Sequence, residues 1–272
     1  MWLIPGAAVF WAVQSYAVKR TVQTGIARKD FFYLSCLFLV PFAALMLLVT
    51  PVHFSFSLWL LPLLTVAVLL RYGKQTAEAA CMETLVPFES EAYMCLGVVL
   101  AYGIDATLGI KAVSVWGALS VALALSGVFL MADVRLRASR LRLNLVIRIG
   151  CDVGLGLCTR YALQFCSNAL FILLLNGLIA LLWCRQYPPR VWKEKTRFIK
   201  PVLIQQALGF VCLYLGNLAV QQSVTAYAFI RPIALALCIC TAFVSKKEAR
   251  VPKIKDFLAG LLIAAGIGLQ LV

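Results

Sequence analysis

Long apolar stretches alternate with short polar links along the whole chain. The stretches lie near residues 2–18, 31–49, 57–75, 82–103, 113–131, 143–161, 167–184, 201–220, 224–244 and 257–272. About 20 apolar residues in a helix cross the roughly 30 Å hydrocarbon core of a bilayer. Backbone groups in hydrocarbon must be satisfied within their own segment, so each stretch is predicted to be a helix. Pro41, Pro62, Gly177 and Pro232 fall inside these stretches. Membrane helices tolerate Pro and Gly because neighbouring groups re-satisfy the freed backbone.

The pattern also recurs. Pro87 matches Pro232, Asp105 matches Glu248, and Val115-Trp116-Gly117 matches Leu258-Ala259-Gly260, at shifts of 145, 143 and 143 residues. Each half then holds five spans. Five is odd, so a tandem copy enters the bilayer the opposite way up. The predicted fold is all-α and integral to the membrane: ten transmembrane helices as two inverted five-helix repeats, residues 1–135 and 136–272. Many secondary transporters are built this way, with the substrate site near the midplane.

Composition agrees with a membrane setting. Of 272 residues, 63% are hydrophobic and 13% charged, against roughly 45–50% and 25% for soluble domains. Ten spans would use roughly 200 residues at about 20 each, leaving no room for a separate extramembrane domain. The ten cysteines stand singly or as Cys238 and Cys240. They lack the spacing of a zinc site or disulfide framework and read as small core residues. The first span starts at Trp2 without a basic leader, as a retained span rather than a cleaved signal peptide.

A net charge of +14 would suggest a nucleic-acid partner in a soluble protein. Here the basic residues concentrate in alternate links. The first holds Lys19, Arg20, Arg28 and Lys29. The third holds Arg71 and Lys74, diluted by Glu78 and Glu83, and the fifth holds Arg135, Arg137, Arg140 and Arg142. The seventh runs from Arg185 to Lys200, and the ninth holds Lys246, Lys247, Arg250, Lys253 and Lys255. The even links carry few charges. The positive-inside rule makes the odd links cytoplasmic and both termini external. The charge is therefore topogenic, and no nucleic-acid partner is expected.

The last 54 residues sharpen this reading. Thr225-Ala226-Tyr227-Ala228 precedes Pro232. Ser245-Lys246-Lys247-Glu248 follows, then Lys255-Asp256-Phe257-Leu258-Ala259-Gly260 and Gly266-Ile267-Gly268. This stretch resembles the carboxyl-terminal half of an EamA-like member of the drug/metabolite transporter superfamily. That family has a Pro in the penultimate helix, a Glu in the last link and a Gly-rich final helix. Trp11 and the set Pro87, Asp105, Gly117 and Gly127 are similar in the first half. The resemblance implies a ten-helix transporter of the bacterial inner membrane. The chain departs from the family in having Asp105 where a Glu is usual, and in a charge pattern that puts its termini outside.

Ionisable side chains inside spans are costly and therefore functional candidates. Arg148, Asp152, Gly156 and Arg160 recur every four residues and share one helix stripe. They read either as a cavity-facing site or as an internal Arg148–Asp152 pair. Glu89 and Glu91 follow Pro87 in the fourth span, while Arg231 precedes Pro232 at the corresponding depth. Glu78 and Glu83 form one acidic set with Glu89 and Glu91; they read either as part of a site or as a cytoplasmic hairpin in which Arg71, Lys74 and Glu78 pair at helical spacing. Polar residues that could line a cavity are Trp11, Gln14 and Tyr16 in the first span, Asn168 and Asn176 in the seventh, and Gln205, Gln206 and Asn217 in the eighth. The substrate-binding candidates are thus Trp11, Gln14, Tyr16, Glu89, Arg148, Asp152, Asn176, Gln206, Asn217 and Arg231. His53 is expected in a solvated link, and Glu248 as a link-organising residue.

The leading functional expectation is a secondary transporter that exports or exchanges a small polar or zwitterionic metabolite by alternating access. Protons are a candidate coupling ion, no cofactor is expected, and the assembly is a monomer or homodimer. Two other transport readings remain. One is a quaternary amine held by carboxylates and aromatic faces; the other is a lipid-linked substrate moved between leaflets. An intramembrane enzyme is the non-transport alternative. A single His, no metal-ligand cluster and no Asp-rich motif leave it little for acid–base or metal chemistry.

Overall fold

The computed structural model describes residues 3–109, 114–131, 139–187, 189–222, 227, 230–245 and 250–269. The predicted junction between halves at 135/136 lies outside them, as do Glu248 and the Lys246-Lys247 pair. The fold is all-α. Its helices are α1 (Leu3–Gln23), α2 (Arg28–Leu47), α3 (Leu60–Thr84), α4 (Pro87–Met94), α5 (Leu96–Thr107), α6 (Val115–Met131), α7 (Ser139–Ala162), α8 (Asn168–Trp183), α9 (Pro189–Gln222), α10 (Ile230–Ser245) and α11 (Ile254–Gly268). Among the described residues the one extended pairing is an isolated antiparallel bridge between Phe54 and Cys166.

Two boundaries differ from expectation. The third predicted span stops at residue 75 because Arg71, Lys74 and Glu78 interrupt the apolar run. Helix α3 instead continues to Thr84, because Lys74 and Glu78 find charged partners inside the protein. The fourth predicted span divides into α4 and α5 at Cys95. Pro87 does not loosen this span from within; it starts α4. The residue before a proline is pushed out of the helical region, and Val86 is extended at φ −83°, ψ 158°. Proline fits the first helical position because no intrahelical partner is lost there.

Each of the most extensive packings joins one helix of the amino-terminal half to one of the carboxyl-terminal half: α3 with α7, α6 with α11, α1 with α9 and α2 with α8. Two of these depend on missing side chains. A Cβ on Gly73 of α3 would lie 2.8 Å from Cys151 Sγ of α7, and one on Gly127 of α6 would lie 2.7 Å from the Ala259 carbonyl oxygen of α11. Small residues let backbones approach closely. Gly73 and Cys151 are chain neighbours of Lys74 and Asp152, so the close crossing also brings those two side chains together.

The links sort into two ends. Arg28 forks onto Glu83 at 2.9 and 2.7 Å, joining the first link to the third. Asp30 receives Lys195 at 2.6 Å and the Tyr187 hydroxyl at 2.7 Å, adding the seventh. Burial and the neighbouring Asp30 push the Tyr187 phenol above its ordinary range, so it stays a donor. Arg250 pairs with Glu89, adding the ninth. At the opposite end the second and sixth links are laced by Ser55 N–H to Phe165 O at 2.6 Å and Ser167 N–H to His53 O at 2.8 Å. Exposed His53 lies at this end.

Three helical segments, Arg28–Leu47, Asn168–Gln186 and Lys195–Gln221, are long and apolar enough by length and composition to cross a membrane; Val115–Met131 and Ile230–Val244 are apolar but shorter. Large apolar side chains are exposed on five helices, among them Leu69 of α3, Phe129 of α6, Val146 of α7, Leu181 of α8 and Val244 of α10. The interior contains apolar clusters, such as Phe32, Leu64, Phe171 and Leu175 between α2, α3 and α8. Beside them runs a buried polar seam.

Candidate functional site

The seam is a chain of alternating charge. Glu78 on α3 accepts from Arg148 Nη2 on α7 at 2.7 Å. The same nitrogen lies 3.9 Å from Glu91 on α4. Glu91 accepts from Arg231 Nη1 on α10 at 3.0 Å. Arg231 Nη2 donates to Asp152 on α7 at 2.6 Å, and Asp152 pairs with Lys74 on α3. Six ionised side chains from four helices are thus linked, all but Glu78 buried. By helical rise, Lys74 and Asp152 each sit roughly 15–20 Å from the ends of their helices. The seam therefore crosses the middle of the molecule.

Neutral groups hold this chain in place. Ser15 Oγ donates to Glu91 at 2.7 Å, Arg148 Nη1 donates to Ser90 Oγ, and the Tyr227 hydroxyl donates to Asp152 at 3.1 Å. The Arg231 guanidinium stacks over the Trp11 ring at 4.1 Å, with Lys74 Nζ 5.5 Å from the same ring. Trp11 meets Tyr227 edge to face at 5.9 Å. Breaking a buried ion pair by removing one partner typically costs about 3–5 kcal/mol, because the other charge stays buried and uncompensated. The planar, multiply donating guanidinium of Arg231 suits a position that serves two carboxylates and an aromatic face at once.

A polar cavity of about 30 Å³ adjoins the chain, lined by Gln14, Arg71, Lys74, Gln75, Glu78 and Gln206 among others. It has space for a water or two, far below the roughly 300–1,000 Å³ of a small-molecule pocket. A larger hollow of about 660 Å³ between α1, α9 and α10 is walled by Val9, Val13, Tyr16, Ile204, Leu208 and Leu237. Val9, Val13 and Ile204 are about half exposed, so this hollow opens sideways, and its walls are mostly apolar. Chemistry favours the smaller, polar cavity as the functional site.

Six of the sequence candidates meet here. Trp11, Arg148, Asp152 and Arg231 belong to the seam, while Gln206 lines the cavity with Gln14 beside it. Arg148 and Asp152 do not pair with one another; each reaches to other helices. The remaining candidates lie elsewhere. Glu89 caps α4 by accepting from the Val86 N–H at 3.2 Å and pairs with Arg250. Tyr16 donates to the Cys238 carbonyl at 2.8 Å beside the lateral hollow. Asn217 donates to Asn168 at 2.7 Å, tying α9 to α8. Asn176 donates to Ile172 O of its own helix at 2.8 Å.

Sequence reading missed Lys74, Arg71, Ser15 and Tyr227 as members of the site and left Glu78 between a site and a hairpin. Arg71, Lys74 and Glu78 form no cytoplasmic hairpin; their spacing puts them on one stripe of α3, and that stripe faces inward. Asp105 is also buried, 3.6 Å from Arg160, outside the seam.

No family model matches the chain, and no curated protein matches it. A solved structure described as "Crystal structure of protein" is similar over 98% of this chain and 95% of its own, at TM-score 0.69 and 15% identity. At that identity the likeness concerns the fold alone.

Proposed function

We propose that this chain is a secondary transporter, an exporter or exchanger of a small polar or zwitterionic metabolite, working by alternating access across a membrane such as the bacterial inner membrane. One observation carries the reading. The alternating charge chain lies at mid-depth and joins the two halves: Lys74, Glu78 and Glu91 come from the first, Arg148, Asp152 and Arg231 from the second. Buried charges are rare in such apolar proteins and mark solute pathways. A zwitterion supplies one group for the carboxylates and one for the cations, so it could replace ion pairs between the halves while they move apart.

Other features support the frame. The apolar outer surface suits lipid contact. The paired packings of α1 with α9 and α3 with α7 fit ten helices arranged as two inverted repeats, since exchanging the halves turns one pair into the other. Links that share basic residues gather at one end, which by the positive-inside rule is cytoplasmic. A reporter fused after Val272 should then read as extracytoplasmic.

A cationic amine is the second reading, favoured by the Trp11 ring with carboxylates Glu91 and Asp152 near the cation upon it. The test is counterflow into proteoliposomes preloaded with single amino acids or quaternary amines. Accumulation of labelled solute above empty liposomes supports transport. Absence of accumulation across both panels counts against it.

A further inference from the structure

We infer that the cavity beside Arg71 and Gln206 seats a carboxylate of the transported solute, so the substrates are small carboxylates or zwitterions and not bare amines. This rests on the transporter reading and narrows its substrate class.

The first ground is charge. The six members of the alternating chain balance one another. Arg71 is one turn from Lys74 and equally buried. Among the described residues no carboxylate pairs with it; its guanidinium lies by the Cys36 thiol. With every group ionised, the cluster holds four cations (Arg71, Lys74, Arg148 and Arg231) against three carboxylates (Glu78, Glu91 and Asp152). An uncompensated buried charge is expensive, and one anion would complete the set.

The second ground is the direction of the unmet hydrogen bonds. Two buried atoms on residues lining the cavity lack partners, Arg71 Nε and Gln206 Nε2. Both are donors, and a guanidinium has no acceptor at all. The occupant must therefore accept. Glu78, the acidic residue on the cavity wall, already receives Arg148. A water would accept a hydrogen bond but leave the charge uncompensated. A carboxylate does both and matches the guanidinium fork. At about 30 Å³ the cavity suits one such group, with the rest of the solute reaching toward Trp11 and the Glu91–Arg231 pair.

The test is thermal shift of the purified full-length protein. The probes are the common L-amino acids, acetate, propionate and succinate, set against alaninamide, propionamide and tetramethylammonium. At least one carboxylate should raise the melting temperature with dose, since a ligand selective for the folded state stabilises it. Its amide or amine counterpart should be at least tenfold weaker. Arg71→Gln should weaken the carboxylate at least tenfold. Gln206→Glu, which supplies the missing anion from within, should raise the melting temperature of the unliganded protein and abolish the carboxylate shift; it remains informative if Arg71→Gln does not fold. The inference is overturned if no carboxylate stabilises, if amides and amines do as well, or if the shift survives both substitutions. Carboxylate binding without counterflow would sink the transporter reading and leave the subsite standing. Counterflow of amines unaffected by Arg71→Gln would do the reverse.

Discussion

Arg231 on α10 and Asp152 on α7 are joined at 2.6 Å through Nη2 and Oδ2, with both side chains buried. The same guanidinium holds Glu91 of α4 at 3.0 Å. One side chain thereby couples two helices of the second half to one of the first. A ligand that competes for Arg231 would change how the halves are tied.

The charge count gives an asymmetric expectation for the next link along the chain. Asp152→Asn leaves Lys74 and Arg231 without their shared carboxylate and deepens the excess of cations. It should cost about 3 kcal/mol or more and abolish transport, while protein still reaches the membrane. Lys74→Met leaves Asp152 its Arg231 partner at 2.6 Å and brings buried cations and carboxylates to three each, so it should cost less than Asp152→Asn. Thermal melts of the two variants check the order; a more damaged Lys74→Met would contradict it.

Glu89 stands apart from this chain despite its place near Glu91. Glu89→Gln should lower stability through the Arg250 pair and the α4 cap, by about 1–3 kcal/mol. Ligand selectivity should not change. Parallel dose curves for a zwitterion and an amine in wild type and variant test the point.

The α3–α7 crossing should be equally sensitive. Gly73→Val puts atoms where Cys151 Sγ already lies and should destabilise by about 1–3 kcal/mol, in the manner of overpacked cores. It should also weaken solute binding, because Lys74 and Asp152 would be drawn apart. Unchanged melting would contradict the observed contact.

The exposed Arg28–Glu83 fork offers a contrast, with both side chains nearly half exposed. Glu83→Gln should shift stability by less than about 1 kcal/mol and leave counterflow intact.

Particular residues explain what was legible in the sequence. Asp152, Arg148 and Arg231 stand inside apolar runs, where any charge is conspicuous, and all three belong to the seam. The break before α4 was also written locally, in Val86-Pro87. Lys74 and Glu78 are hard to read because they end the apolar run of α3 and so look like a link. Their partners lie 70 or more residues away, beyond any local spacing. Glu89 and Glu91 show a further limit. Two residues apart on a helix they point roughly 200° from each other, and only packing decides which faces inward. Asn176 and Asn217 bond carbonyls and amides within α8 and between α8 and α9, a use of amides that composition cannot separate from solute binding.

The central claim is that the buried seam opens alternately to the two faces of the membrane, and accessibility of Gln75 tests it most directly. Gln75 lines the cavity and is 4% exposed. In a variant with the ten native cysteines replaced and Gln75→Cys introduced, an impermeant maleimide is applied to one or the other side of oriented vesicles. Labelling from either side, slowed by a stabilising solute, is the expected result. Labelling from one side alone, or from neither, would contradict alternating access at this site.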